Sequence, residues 1–271
     1  PLLLSIVQDP AYKGYISVHQ DQRQQIKCLA YADDICVFVK DREDFSRLQI
    51  HLQAYGAVSN ARFNQHKTEA FALDGRVSPT WQSILQEHRI SQYYHASSPS
   101  AFRYLGFYIC YTVAQRQSVE SMLLEKIKTQ IQVFSSRSLS FRGRASVANT
   151  LILSKLWFTL RILNPPKRFF VKVRSLIYSF VWQKKYPLVA FNQLCLPYTS
   201  GGVGLLEPSR QHMLFQVKWR VSLFDRRADR LTVAALEHHL SFLSPISGVT
   251  LLALFEPTFR SHHTSIRLFH L

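Results

Sequence analysis

Apolar and polar positions change their rhythm once along this chain. Up to about residue 113 they alternate or form short runs, and beyond it they recur at helical spacing. Tyr15-Ile16-Ser17-Val18 reads as a strand. Ile26 to Tyr31 and Ile35 to Val39 read as two more, joined by Ala32-Asp33-Asp34 into a hairpin whose only acids sit at its turn. Asp41 then suits the N-cap of a helix through about Val58, with Asp44 in its first turn and Phe45, Leu48, Leu52 and Tyr55 along one face. Phe102 to Tyr111, an apolar run containing Gly106, reads as another hairpin. Past residue 113, Val119, Met122, Leu123, Ile127, Ile131 and Phe134 mark one amphipathic helix, and Val147, Ala148, Leu151, Ile152, Lys155 and Leu156 the next. Asn164-Pro165-Pro166 interrupts, because consecutive prolines cannot continue a helix. A third helix carries Phe169, Phe170, Val173, Leu176, Ile177, Phe180 and Val181. Gly201-Gly202-Val203-Gly204 marks turns before a further helix from about Arg210 to Leu223. The pattern predicts an α+β fold in which a small antiparallel sheet with helices precedes an all-α part.

Composition sharpens this picture mainly through charge. The 271 residues carry a net charge of +16 and are 47% hydrophobic, enough for a substantial core. Residues 1–112 hold 11 Lys/Arg against 10 Asp/Glu, whereas residues 113–271 hold 22 against 7. That asymmetry points to a near-neutral first part and a second part facing a polyanion, nucleic acid rather than membrane. No apolar run approaches the ~20 residues that cross a bilayer, and Val249 to Phe255 is among the longest. Cys28, Cys36, Cys110 and Cys195 form no CxxC pair, and His238-His239 and His262-His263 have no nearby cysteine, so no zinc site is expected. Scattered, unpaired cysteines fit a reducing intracellular location, the nucleus included.

Candidate chemistry concentrates at Tyr31-Ala32-Asp33-Asp34. Neighbouring residues of an extended strand point to opposite faces, so two adjacent aspartates can serve one site only where the chain turns sharply. Carboxylates held together repel unless a cation lies between them. Mg²⁺ takes such oxygens while keeping positions for water and phosphates, which suits nucleotidyl transfer by two metals. The plainer reading is a surface hairpin with an acidic turn, since Asp favours turns.

The hairpin resembles the palm motif of reverse transcriptases, and the rest of the chain resembles the non-LTR (LINE-type) retrotransposon branch in order. Phe63-Asn64-Gln65-His66-Lys67-Thr68-Glu69 is similar to that family's Asn-x-x-Lys-Thr-Glu segment, and Phe102-Arg103-Tyr104-Leu105-Gly106-Phe107 to its Tyr-Leu-Gly primer-grip hairpin. Leu139-Ser140-Phe141-Arg142-Gly143-Arg144, leading into Leu153-Ser154-Lys155-Leu156-Trp157, resembles the start of its thumb. Leu194-Cys195-Leu196-Pro197 with Gly201-Gly202-Val203-Gly204-Leu205 resembles a segment just beyond. The similarity spans roughly residues 1–223.

The resemblance implies an RNA-directed DNA polymerase using Mg²⁺, deoxynucleoside triphosphates, an RNA template and a DNA primer. It implies part of a palm over residues 1–112, a helical thumb over 113–190 and a basic C-terminal extension over 191–271. Asp33 would be the main metal ligand and Asp34 a more remote one. Tyr31 would lie beside the primer terminus, sharing a face with Asp33, and Lys67 near the leaving pyrophosphate. Tyr104, Leu105 and Gly106 would contact primer, with burial in a second hairpin the competing reading. Arg142, Arg144, Lys155, Lys167, Arg168, Lys172 and Arg174 would follow the template–primer duplex through its phosphates; a solvated helix face is the alternative. The aromatic stripe of Phe169, Phe170, Phe180 and Trp182 reads as core.

The family's first catalytic aspartate and its Gln-Gly segment lie upstream of such a hairpin, and neither is present. Pro1 to Ile6 resembles the helix that follows them, so the chain is expected to be a fragment that is inactive alone. The fingers, an endonuclease and a Cys/His knuckle are not recognisable either. The rival expectation is a non-catalytic nucleic-acid-binding remnant. A group II intron maturase is disfavoured by the thumb segment.

Overall fold

The computed structural model describes residues 1–19, 22–64 and 67–224. Both histidine pairs, the 249–255 run and most of the expected C-terminal extension lie outside them. The chain is mixed α+β, with small two-stranded ladders and helices, and it divides into two compact units, Pro1–Thr68 and Glu69–Phe224 among the described residues.

In the first unit, helix α1 (Leu2–Gln8) precedes the antiparallel ladders β1 (Tyr15–His19) with β2 (Gln22–Ile26) and β3 (Cys28–Tyr31) with β4 (Asp34–Val37). Helix α2 (Arg42–Ser59) follows. Its N-cap is Asp41, whose carboxylate accepts the Asp44 N–H, as the sequence pattern predicts. Its C-cap Asn60 takes the left-handed conformation (φ 55°) that Asn tolerates. The core is small: Leu2, Ile6, Tyr12 and Leu48, with Val37, Val39, Leu52 and Tyr55 packed around them.

Polar clamps supplement that core. Asp44 is fully buried, and its carboxylate accepts the backbone N–H groups of Lys13 (2.8 Å), Gly14 (2.8 Å) and Lys40 (3.0 Å). One side chain thus ties the segment entering β1 and the segment leaving β4 to the first turn of α2. Gly14 is at φ +59°, and a Cβ there would come within 2.6 Å of the Ile26 carbonyl oxygen, so the close approach requires glycine. Asp9 makes a second clamp. It accepts from Ala11 N–H (2.9 Å) and Arg47 (3.1 Å) and pairs with His51 Nε2 (3.0 Å).

The second unit begins with β5 (Glu69–Phe71), α3 (Pro79–Glu87) and β6 (Gln92–Tyr94), where β5 and β6 pair in parallel across the helix. The hairpin β7 (Phe102–Tyr104) and β8 (Phe107–Ile109) comes next. Helices α4 (Val113–Ser135), α5 (Phe141–Val147), α6 (Ser154–Trp157), α7 (Lys167–Val181), α8 (Phe191–Leu194) and α9 (Pro208–Phe224) complete it. One core runs from Cys110 to Leu205 and includes Val119, Leu123 and Ile127 of α4 with Phe169, Phe170, Val173, Ile177 and Phe180 of α7. The stripe on α7 is therefore core, as its spacing predicts.

Between α5 and α6 the helical spacing departs from the sequence pattern. A π-helical turn, Ala148–Ile152, inserts there, and the Leu153 N–H donates to the Ala148 carbonyl at 2.8 Å. The wider turn rotates later side chains, so Leu153 is buried and Leu151 is exposed. Asn149 on this turn holds the glycine-rich segment: its amide donates to the Gly204 carbonyl and its carbonyl accepts the Leu206 N–H, each at 2.9 Å.

Candidate functional site

The acidic hairpin is a tight one. Tyr31 pairs with Asp34 across the ladder, leaving Ala32-Asp33 as a two-residue turn. Ala32 sits at φ 53°, a left-handed conformation that costs a residue with a Cβ roughly 1–2 kcal/mol. Asp34 is therefore the first residue of β4 rather than part of the turn. This register corrects one expectation. Tyr31 shares its face with Asp34, its cross-strand partner, because period-two counting toward Asp33 ends where the chain turns.

The tip stands in solvent. Tyr31 is 70% exposed, both aspartates are exposed, and Leu29 and Ile35 beneath them are exposed as well. At the root the hairpin meets the core through Val37 and Val39, and the Tyr12 hydroxyl donates to the Phe38 carbonyl at 2.9 Å. As oxygen donors Asp33 and Asp34 suit Mg²⁺. Among the described residues, however, no group of three His, Cys, Asp or Glu side chains could hold a metal. The donor chemistry fits, but the donor set does not amount to a metal centre in these residues alone.

Lys67 is exposed, and its N–H donates to the Asn64 carbonyl at 3.0 Å. Among the described residues, no hydrogen bond or ion pair joins it to Asp33 or Asp34.

Tyr104, Leu105 and Gly106 lie together at the second hairpin, in the other unit. Leu105 (φ 49°) and Gly106 (φ 83°) are both left-handed, as a type I′ turn requires. The Phe107 and Phe158 rings stack at 4.2 Å, and a Cβ on Gly106 would meet Phe158 at 2.9 Å. Phe102 behind the tip is buried, stacked on Phe71 at 4.4 Å. All three tip residues are half-buried.

The expected phosphate-facing cations divide into two groups. Arg142, Lys155, Lys167, Arg168 and Lys172 are exposed, and Arg142 lies 5.4 Å over the Tyr198 ring. Arg174 is half-buried, 4.6 Å over Phe191. Arg144 donates to the Val181 and Leu139 carbonyls, and burial lowers its pKa. Residues 113–224 hold 17 Lys/Arg and only three acids. Each acid already has a partner: Glu120 pairs with Arg116, Glu125 with Lys128, and Glu207 caps α9 at Ser209 and Arg210. The remaining positive charge is thus uncompensated by carboxylates of the same segment.

Sequence reasoning missed the structural roles of Asp9 and Asp44. Asp44 was visible as a first-turn acid, but its partners lie some thirty residues back. The cysteines are free, and burial raises each thiol, Cys110 to about 11, so none is poised as a thiolate nucleophile.

Comparison with known proteins finds similarity over part of the chain. Residues 1–109 match the model of the reverse transcriptase (RNA-dependent DNA polymerase) family. The chain is 31% identical over 187 residues, 65% of its length, to the "Transposon TX1 uncharacterized 149 kDa protein" of Xenopus laevis. It is 23% identical over 106 residues, 36% of its length, to a "Putative ribonuclease H protein" of Arabidopsis thaliana. The matched regions span 13% and 17% of those two relatives.

Proposed function

We infer that the chain is part of an RNA-directed DNA polymerase of a non-LTR retrotransposon, a reading supported by the match of residues 1–109 to the reverse transcriptase family model and by the 31% identity over 187 residues to a transposon protein. It acts with Mg²⁺ and deoxynucleoside triphosphates on an RNA template and a DNA primer. The observation that carries this reading is the exposed pair Asp33 and Asp34 at a two-residue turn. Residues 1–112 are read as palm, 113–190 as thumb and 191–271 as a basic extension. Asp33 is this chain's main contribution to the metal site and Asp34 a weaker one. A divalent cation held in part by Asp33 would offset charge developing on the transferring phosphoryl group. Tyr31 lies beside the primer terminus, Lys67 serves the leaving pyrophosphate, and Tyr104, Leu105 and Gly106 steady the primer. The exposed cations of α7 with Arg142 and Lys155 hold duplex phosphates, an intracellular, nuclear role. Arg144 and Arg174 support that surface from within.

One observation favours a second reading. The described residues contain two carboxylates at the tip and no third donor beside them, as a nucleic-acid-binding remnant without polymerase activity would. Primer extension on an RNA template separates the two. The 271-residue chain alone should give none, whereas a version extended with reverse transcriptase sequence carrying a further metal-binding carboxylate should extend the primer. An extended version that binds duplex but never extends it supports the remnant. Duplex affinity of the chain should fall roughly 10³–10⁵-fold between 50 and 200 mM salt if about 6–10 cations contact phosphate.

A further inference from the structure

Helices α4 and α7 share a cleft of ≈600 Å³ near their C-terminal ends. Three kinds of group line it. Ile131, Phe134, Leu176 and Phe180 supply apolar and aromatic wall, and Gln132 and Gln183 supply amides that can both donate and accept. Arg137, Arg144 and Lys184 supply positive charge, with the Arg137 guanidinium 5.8 Å over the Phe134 ring. The one acid in the lining, Glu125, is already paired with Lys128 at 2.6 Å. Two of the five Arg144 donors go to the Leu139 and Val181 carbonyls, which fixes the guanidinium at the cleft and leaves donors over.

The backbone at one edge is unusual. Gln183 and Lys184 are consecutive non-glycine residues in the left-handed region, at φ 52° and φ 61°. The conformation is held by the Gln183 N–H donating to the Phe180 carbonyl (3.1 Å) and the Lys184 N–H to the Ser179 carbonyl (2.9 Å). Strained backbone persists where surrounding structure enforces it, and here it brings an amide and an ammonium to the same edge.

We propose that this cleft binds an unpaired nucleotide of a single strand, its base against Phe134 and its phosphate at Arg137 and Lys184. Duplex phosphate contact needs only cations on a surface, whereas an unpaired base needs a ring to stack on and amides to meet its polar edge, and the cleft has both. An acidic helix would match the charge but would leave the amides without a purpose. The proposal rests on reading the basic region as facing nucleic acid.

The test measures binding of the 271-residue chain to a fluorescent unstructured 12-nucleotide RNA and to a duplex of equal length. Ser179→Trp places an indole at an exposed position of the lining without changing charge. It should weaken single-strand binding about 5- to 150-fold, the range of one lost stacking contact, and leave duplex binding within about twofold. Lys184→Gln should weaken the single strand more than Lys185→Gln, since Lys185 is exposed but does not line the cleft. Should Ser179→Trp fail to fold, Gln183→Ala serves in its place and should still lower single-strand affinity alone. Unchanged single-strand affinity, equal loss on both probes, or cleft-dependent binding of an acidic amphipathic peptide instead of RNA would overturn the proposal. Failure of wild-type chain to bind either probe would instead remove the reading on which it rests.

Discussion

Among the described residues, two hairpins close on loops of equal length in opposite surroundings. Tyr31-Ala32-Asp33-Asp34 and Tyr104-Leu105-Gly106-Phe107 each close on a two-residue loop between paired first and fourth residues. Each places a residue with a Cβ at positive φ in the first loop position, Ala32 at 53° and Leu105 at 49°. The first tip ends in two exposed carboxylates, whereas Phe158 lies against the second where a Cβ would otherwise go. Loop length and a positive φ at the first loop position are thus the common part; Gly106 is also at positive φ and Asp33 is not, and the surroundings of the tips differ further. A turn met by rings is a packing element. A turn that carries paired acids into solvent is free of such packing.

The widest gap between the tips should appear in activity. In an extended, extension-competent version of the chain, Asp33→Asn should cut primer extension on the order of 10³-fold, the several kcal/mol that a lost metal carboxylate represents. Asp34→Asn, at the start of β4, should cost less, and Asp41→Asn little, because Asn caps a helix about as well as Asp. Duplex affinity should stay nearly constant throughout. Normal extension by Asp33→Asn would remove the hairpin from the active site.

Stability should separate the two units by kind of interaction. The root of the acidic hairpin depends on the Asp44 carboxylate, which satisfies three backbone donors. Asp44→Ala should cost about 3 kcal/mol, because the donors it leaves behind are unsatisfied. The second hairpin depends on ring packing. Gly106→Ala should cost about 2 kcal/mol, since the new methyl meets Phe158 at 2.9 Å and the backbone is at φ 83°. Ala32→Gly, by contrast, should change stability by less than about 0.5 kcal/mol, as relief of the left-handed strain offsets the greater entropy of glycine unfolded. Urea midpoints for the three variants measure this directly. A Gly106→Ala change as mild as Ala32→Gly would mean the second tip is as unencumbered as the first.

The contrast also marks what the sequence made legible. The acidic hairpin, the Asp41-capped helix and the core stripes of α4 and α7 followed from local rules of period, cap and turn, and the structure contains them. The Ser78 cap followed by Pro79, which opens α3, was a local signal that went unread. The parallel pairing of β5 with β6 was not available in that way, because three-residue strands separated by a helix carry too little pattern. Nor were the clamps at Asp9 and Asp44, whose partners are distant in sequence. The π turn at Ala148–Ile152 defeated helical counting and moved burial from Leu151 to Leu153. The face shared by Tyr31 and Asp34 depended on register, which counting along one strand cannot supply.

The smallest expected difference between the units is in their response to acid. The tip of the second hairpin rests on Phe107 and Phe158, which do not titrate. The first unit is clamped by Asp9, whose pKa is lowered from its ordinary 3.8 to about 2. The His51 hydrogen bond contributes most to that lowering, with the Ala11 N–H and Arg47 adding to it against the opposing effect of burial. A carboxyl with a depressed folded pKa stabilises the fold fully above its unfolded pKa, and that stabilisation is lost as pH falls through the folded pKa. The window therefore runs from about pH 4 down to about pH 2. Asp9→Asn removes the charge at every pH, so wild type should exceed the variant near pH 5, where the Asp9 carboxylate is ionised. The margin should be about 1 kcal/mol once screening around the partly exposed Arg47 is allowed for, and it should shrink toward zero near pH 2. Urea midpoints of both proteins across that range give the difference, and a carbon-13 titration of the Asp9 carboxyl gives its pKa independently. A margin that persists unchanged to pH 2 would show that ionisation of Asp9 does not set it, and no margin at any pH would show that an amide serves the same hydrogen bonds.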